Sequence, residues 1–103
     1  MRNLHISVKD KVATYTSRDG IIVCGNSDYQ LVIHFDAEWE TIPNRTARFI
    51  WNQQHVDVPF TGNTVTIPAI SNTEQLIVGI YADNICTTAV TIPCVLSVLC
   101  EGV

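Results

Sequence analysis

Residues 47–60 are the stretch that most constrains how this chain can fold. In its first half the side chains alternate in character, so that Phe49 and Trp51 fall on one side of an extended backbone. A polar break follows, after which Val56 and Val58 resume the alternation. A period of two residues is typical of a strand with one buried face. We therefore expect a β-hairpin whose two large aromatic side chains seed the core.

Short apolar or alternating stretches recur along the rest of the chain, separated by turn-forming residues about every 8–12 positions. They are 4–9, 12–16, 21–24, 29–36, 64–67, 76–81, 86–92 and 94–99. None has the period of an amphipathic helix. We therefore expect a single domain, residues 1–103, with an all-β fold. Its architecture should be an antiparallel β-sandwich, immunoglobulin-like or jelly-roll-like, of about eight to ten short strands.

Three single residues carry more specific expectations. Trp39, in the acidic connection 36–40, should close the open end of the sandwich and direct its indole N–H at a carbonyl. Gly20 follows three loop residues and is expected at a positive φ. Gly79 interrupts a strand, which indicates a bulge or a close backbone approach.

Charge and hydropathy exclude several kinds of partner. The net charge is −4 and the six basic residues form no run, so we expect no nucleic-acid partner. No apolar stretch approaches the roughly 20 residues that cross a bilayer, and the N-terminus lacks the apolar region of a signal peptide. We therefore expect no membrane association and a protein that stays in the cytoplasm where it is made.

The four cysteines are compatible with three disulfide pairings. They are Cys24, Cys86, Cys94 and Cys100. A cytoplasmic origin favours free thiols, and cysteine is among the residues that are most often buried.

Catalytic and metal-binding patterns are weak in this sequence. His34 and Asp36 lie two residues apart on one strand face, and so do His55 and Asp57. Such pairs can begin a metal site or a general-base arrangement, and the carboxylates at 36–40 resemble the acid pair of a glycosidase. We interpret them as solvated surface, because no nucleophile motif, phosphate-binding loop or closely spaced zinc ligands accompany them. The expectation is a protein without catalytic residues, cofactor or metal.

An aromatic platform for a sugar is a second interpretation, since many β-sandwiches bind glycans. The residues that could form it are Tyr29, Trp39, Trp51 and Tyr81. The alternation places Trp51 beside Phe49 and Tyr29 beside Leu31, which favours a place in the core for both.

Several stretches taken together resemble one known family. They are VKDKVATY at 8–15, VCGNSDY at 23–29, FDAEW at 35–39, TARF at 46–49, VPFTGN at 58–63, VGIYA at 78–82 and the ending 92–100. Spanning nearly the whole chain, they resemble the N-terminal β-sandwich domain of tail-associated proteins in phages and prophages of Firmicutes, similar to upper baseplate or tail-fibre attachment proteins.

The resemblance implies a structural virion component that docks a fibre or receptor-binding protein through protein–protein contacts. Its partners would be other tail or baseplate proteins, and it would form a homo-oligomer, a trimer or hexamer. Proteins of this kind continue past the position of Cys100 into a linker and further domains. The sequence is then either an excised N-terminal module or an anchor alone.

A module of this kind would assemble through an unpaired strand edge. Two candidate edges are the N-terminal hairpin and the C-terminal strand, which is apolar on both faces. Their apolar residues are Leu4, Ile6 and Val8 in the first, and Val95, Leu96, Val98 and Leu99 in the second.

Overall fold

Two β-sheets packed face to face make up the structure, a computed structural model that describes residues 2–17 and 19–98. The strands are β1 Arg2–Lys9, β2 Val12–Tyr15, β3 Ile22–Val23, β4 Tyr29–His34, β5 Asn44–Trp51, β6 Gln54–Thr61, β7 Thr64–Thr66, β8 Gln75–Ala82, β9 Ile85–Cys86 and β10 Val90–Val95. A single 3₁₀ turn, Ala37–Trp39, is the one helical element within the described residues. The all-β, sandwich-like fold expected from the alternation is confirmed.

The first sheet has the strand order β2-β1-β4-β7, and the second has β3-β10-β8-β5-β6 with β9 added to β8. Both sheets are mixed rather than purely antiparallel, because β1 pairs with β4 and β3 pairs with β10 in parallel. The reason lies in the connections. β2 already occupies one side of β1, and the chain passes through β3 in the opposite sheet before β4 reaches the other side of β1.

Tight turns set the register of the two regular hairpins. Asp10 and Lys11 join β1 to β2 with φ of 51° and 68°. Asn52 and Gln53 join β5 to β6 with φ of 49° and 62°. Two consecutive residues at positive φ are typical of the type I′ turn, whose twist matches that of the flanking strands. The predicted hairpin at 47–60 is therefore confirmed, with a turn of two residues.

The core consists of the inward side chains of both sheets. Phe49 is fully buried and Trp51 nearly so, as the alternation predicts. Trp39 is also fully buried, and its ring packs against Phe35 with centroids 5.0 Å apart. Its indole nitrogen, however, has no hydrogen-bond partner among the described residues, contrary to the expected bond to a carbonyl.

The expected stretches 86–92 and 94–99 are not separated at Pro93, because β10 runs through this residue. The amide of Cys94 donates to the carbonyl of Glu74, at the end of β8, at 2.9 Å. Since successive amides point to opposite sides of a strand, the nitrogen of Pro93 faces away from β8. On that side β3 pairs only with Cys94 and Val95, so the missing N–H breaks no ladder.

The expectation for Gly20 is wrong, whereas a bulge does occur opposite Gly79. Gly20 is not at a positive φ; its constraint is space, because a Cβ there would lie 2.4 Å from the hydroxyl of Tyr15 and 2.8 Å from Leu4. A Cβ on Gly79 would meet nothing within 4 Å, so no backbone approaches it closely. The extra residue of the bulge lies on the adjacent strand, where residues 87–89 between β9 and β10 face residues 79–80 of β8.

The segment between β9 and β10 protects the outer edge of β2. The amide of Thr88 donates to the carbonyl of Lys11 at 2.8 Å, and its hydroxyl accepts the amide of Ala13 at 3.0 Å. These bonds satisfy backbone groups that an edge strand otherwise leaves open to another chain. They also connect the second sheet to the first.

Arg45 is the one charged side chain buried among the described residues. Its guanidinium donates to three backbone carbonyls, those of Trp39, Ile42 and Gly62. The same group lies over the ring of Phe35, 4.2 Å from the centroid. Arg45 therefore joins β5 to the 3₁₀ connection and to the turn between β6 and β7.

We expect Arg45→Lys to reduce the free energy of unfolding by about 2–4 kcal/mol, because an ammonium cannot reach three carbonyls in this fork geometry. Arg48→Lys is the matched control on the same strand. Arg48 is solvent-exposed, so its loss should cost much less. Urea denaturation of the wild type and both variants measures the difference, and equal losses would contradict the assignment.

Candidate functional site

The outward side of the second sheet carries several apolar side chains, with the polar Gln75 and Thr91 between them. Ile50 on β5 lies opposite Ile77 on β8, and Val95 on β10 lies opposite Val23 on β3. Pro93 is exposed on the same side of β10. We call these five apolar residues, together with the exposed Ile21 next to them in the chain, the apolar outer patch. An apolar patch on a sheet face that could be solvated is typical of an interaction surface.

The outward side of the first sheet is different. It carries mainly hydroxyl, amide, imidazole and ammonium groups, with the exposed Val12 and the half-buried Val32 as apolar exceptions. Its polar members on β1 and β4 are Asn3, His5, Ser7, Lys9, Gln30 and His34. The outer surfaces of the two sheets therefore differ in chemistry, although the inner faces of both sheets carry regularly alternating buried side chains.

A charged network lies beside the apolar outer patch. Arg48 donates from Nε to Asp57 Oδ1 at 2.8 Å and from its terminal nitrogen to Oδ2 at 2.9 Å. The hydroxyl of Tyr81 donates to Asp57 Oδ2 at 3.1 Å, and the guanidinium lies over the Tyr81 ring at 5.4 Å. The hydrogen bond and charge of Arg48 lower the pKa of Asp57 to about 2. The network crosses three adjacent strands and has no net charge.

An open groove adjoins this network at one end of the strands. It has a volume of about 680 Å³ and a mixed lining. Tyr81 and Pro59 contribute apolar surface, while Asn44, Thr46 and Asp83 contribute polar groups. A volume of this size and such a lining are compatible with a small ligand.

The two groups of residues predicted to form an assembly edge differ in their burial. Leu4, Ile6 and Val8 are buried in the core, and β1 lies between β2 and β4, so they are not at an edge. Pairing of β1 with β4 could not be foreseen, because that ladder is parallel and distant in sequence.

The C-terminal candidates are more exposed. Val95, Leu96 and Val98 have exposed fractions of 41%, 60% and 86%. β10 itself lies between β3 and β8, so it is not a free edge, although β3 covers only two of its residues. Leu99 lies outside the described residues.

Three of the four aromatics proposed for a glycan platform are buried. Trp51 donates its indole N–H to Ser71 at 3.0 Å, and Tyr29 accepts the amide of Val23 at 2.9 Å. Trp39 is completely enclosed. These three do not form an exposed stacking face. Tyr81 alone is partly exposed, and it lines the groove.

The histidine pairs seen in the sequence are rearranged. Asp57 is bonded to Arg48 and Tyr81 rather than to His55. His34 contacts His5 of the neighbouring strand, a contact that sequence reasoning missed. No group of three or more His, Cys, Asp or Glu that could hold a metal ion occurs in the described parts of the chain.

The described cysteines are free thiols. Cys24 and Cys94 are buried as expected, whereas Cys86 is exposed. Burial raises the pKa of the Cys94 thiol to about 12, and the proximity of Cys24 contributes. Cys100 lies outside the described residues.

In comparisons with protein-family models, curated proteins and solved structures, no family, relative or structure matches this chain. None of the helical segments in residues 2–17 and 19–98 is long and apolar enough to cross a membrane.

The Asp57 network should make stability depend on acid pH. The folded-state pKa of about 2 lies below the ordinary value of 3.8, so the contribution is complete above pH 3.8 and is lost as pH falls through about 2. We therefore expect Asp57→Asn to unfold at a urea concentration that changes less between pH 4 and pH 2 than the wild-type midpoint does.

Arg48→Gln should also reduce the change in the urea midpoint between pH 4 and pH 2. The double variant, Arg48→Gln with Asp57→Asn, should reduce this change no further than either single variant does. If the urea midpoint of Asp57→Asn changes between pH 4 and pH 2 as much as that of the wild type, this network does not contribute to the acid dependence of stability.

Proposed function

We propose that this domain is a non-enzymatic assembly module, a structural component of a phage or prophage tail or baseplate. It acts through protein–protein contacts, and the apolar outer patch is its docking surface. The observation that carries the proposal is the contrast between the two outer surfaces. The family resemblance of the sequence supports the assignment to a tail.

The composition of the patch favours contact with protein. Isoleucine, valine and proline offer no hydrogen bond to water, so their burial against a partner is favourable by about 25 cal/mol per Å² of apolar surface. The exposed Leu96 and Val98 extend the apolar surface beyond the end of β10. The apolar surface extends across the sheet face and beyond its edge, which favours a broad protein interface over a small-ligand site.

A second copy of this chain is the partner that we propose for the patch. The adjacent network contains both a guanidinium and a carboxylate, Arg48 and Asp57, which neutralise one another. A surface that carries both charges adds no net repulsion to contact with another copy, whether the facing surface is the same patch, as across a two-fold axis, or a different one, as in a trimer. The expected assembly is a trimer or hexamer, to which other tail or baseplate proteins attach.

Light scattering over a tenfold concentration range, under reducing conditions, tests the proposal. We expect the wild type at three or six times the 11.4 kDa mass of one chain. Ile77→Lys should reduce the mass to that of a monomer, because it places a charge in the centre of the docking surface.

Val32→Lys is the matched control, since Val32 is also half-buried on a central strand but on the polar outer surface. It should leave the assembly intact. A monomeric wild type at all concentrations, or equal dissociation of both variants, would contradict the proposal.

Glycan binding is a second candidate function, and the groove at Tyr81 is the observation that favours it. The Tyr81 ring is held by Arg48 and Asp57, and one aromatic ring beside amide, hydroxyl and carboxylate groups is a common arrangement for sugar recognition.

If the groove binds sugar, neutral hexasaccharides of glucose or N-acetylglucosamine should shift the Tyr81 signals in an NMR titration. Tyr81→Ala should abolish the shifts at neighbouring residues, whereas Tyr81→Phe, which keeps the ring, should retain them. Absence of binding, or binding that persists in Tyr81→Ala, would refute this candidate.

A further inference from the structure

His5 and His34 form a side-chain pair on the polar outer surface, away from the apolar outer patch. His5 Nδ1 lies 3.0 Å from His34 Nε2, and the ring planes differ by 16°. The ring centroids are 5.3 Å apart. Since each ring nitrogen lies roughly 1.1 Å from its centroid, these distances describe two nearly coplanar rings that meet edge to edge. One nitrogen donates a proton and the other accepts it along the line between them.

The backbone holds the two rings at this spacing. β1 and β4 are adjacent parallel strands, with His5 opposite Val32 and Ser7 opposite His34. Each strand has a further neighbour on its other side, so both are interior strands of the first sheet. The amide of His5 also donates to the hydroxyl of Ser17 at 2.7 Å. Positions on such strands are more rigid than positions on loops.

We propose that His5 and His34 form a binding site for a borderline divalent cation such as Zn²⁺ or Ni²⁺. The cation takes the place of the hydrogen between the two rings; the donor ring transfers that proton through water to its other nitrogen, and both facing nitrogens become ligands. Imidazole is a preferred ligand of these ions.

The observed spacing suits this replacement. Metal–nitrogen distances are about 2.0–2.1 Å, so two nitrogens in adjacent coordination positions are roughly 3 Å apart. The nitrogens are already at 3.0 Å, and the rings need only turn until their lone pairs converge on the solvent side. His34 is exposed and His5 is half-buried, so the cation can enter from water.

The remaining coordination positions are open. No third His, Cys, Asp or Glu joins the pair among the described residues. Water, or a donor group of a docked molecule, completes the shell. The site is therefore open to solvent, and cation binding does not require the apolar outer patch.

Isothermal titration with Ni²⁺ tests the site. We expect one ion to bind per wild-type chain, and either His5→Ala or His34→Ala to weaken binding by about tenfold or more, because the second ligand no longer acts at high effective concentration. Binding should weaken in acid, since protonated imidazole cannot coordinate.

His55→Ala is the matched control, because His55 is the only other histidine in the chain and lies on the other sheet. Cys86→Ser excludes the exposed thiol as the ligand. Both should bind Ni²⁺ like the wild type. A wild type that does not bind, a His5→Ala variant that binds as tightly, or loss of binding in either control would overturn the proposal.

Discussion

The buried guanidinium of Arg45 is the interaction on which the arrangement of the sandwich depends. Its three carbonyl partners belong to residues outside the strands: the 3₁₀ turn, the connection after it and the turn at Gly62. These segments carry the chain between the two sheets. Without the guanidinium each of these carbonyls would lose a charge-assisted donor, and that of Trp39 would retain only the amide of Ile42 at 3.0 Å. One charged side chain thus substitutes for the ladder that these crossings lack.

The alternation of apolar residues predicts most of the strands, since burial of one face is a local property that the sequence displays. It predicts the hairpin at 47–60 and the burial of Phe49 and Trp51 for this reason. It cannot predict the parallel ladders, because they join strands that are far apart in the chain, and a parallel pair leaves no turn signal. The position of Leu4, Ile6 and Val8 follows from one such ladder: β4 pairs with β1, so the edge strand of the N-terminal hairpin is β2 rather than β1.

The candidate sites were harder to foresee than the fold. His5 and His34 are 29 positions apart, and only the parallel register of β1 and β4 brings them together. From the sequence alone Arg45 cannot be distinguished from a surface arginine, since no neighbouring residue indicates that three carbonyls accept its hydrogen bonds. The apolar outer patch was visible in part, as the two-sided apolar character of residues 94–99. Its extension across Ile50 and Ile77 requires the order of the strands in the second sheet.

The two outer surfaces can act independently because the core separates them. A substitution at Ile77 changes the surface of the second sheet, whereas His5 and His34 lie on the first, and no described hydrogen bond joins the two groups. Metal binding without assembly, or assembly without metal binding, is therefore physically possible for this fold. If the two were nonetheless coupled, the connection would have to pass through association itself, with a second copy supplying donors to the open coordination positions.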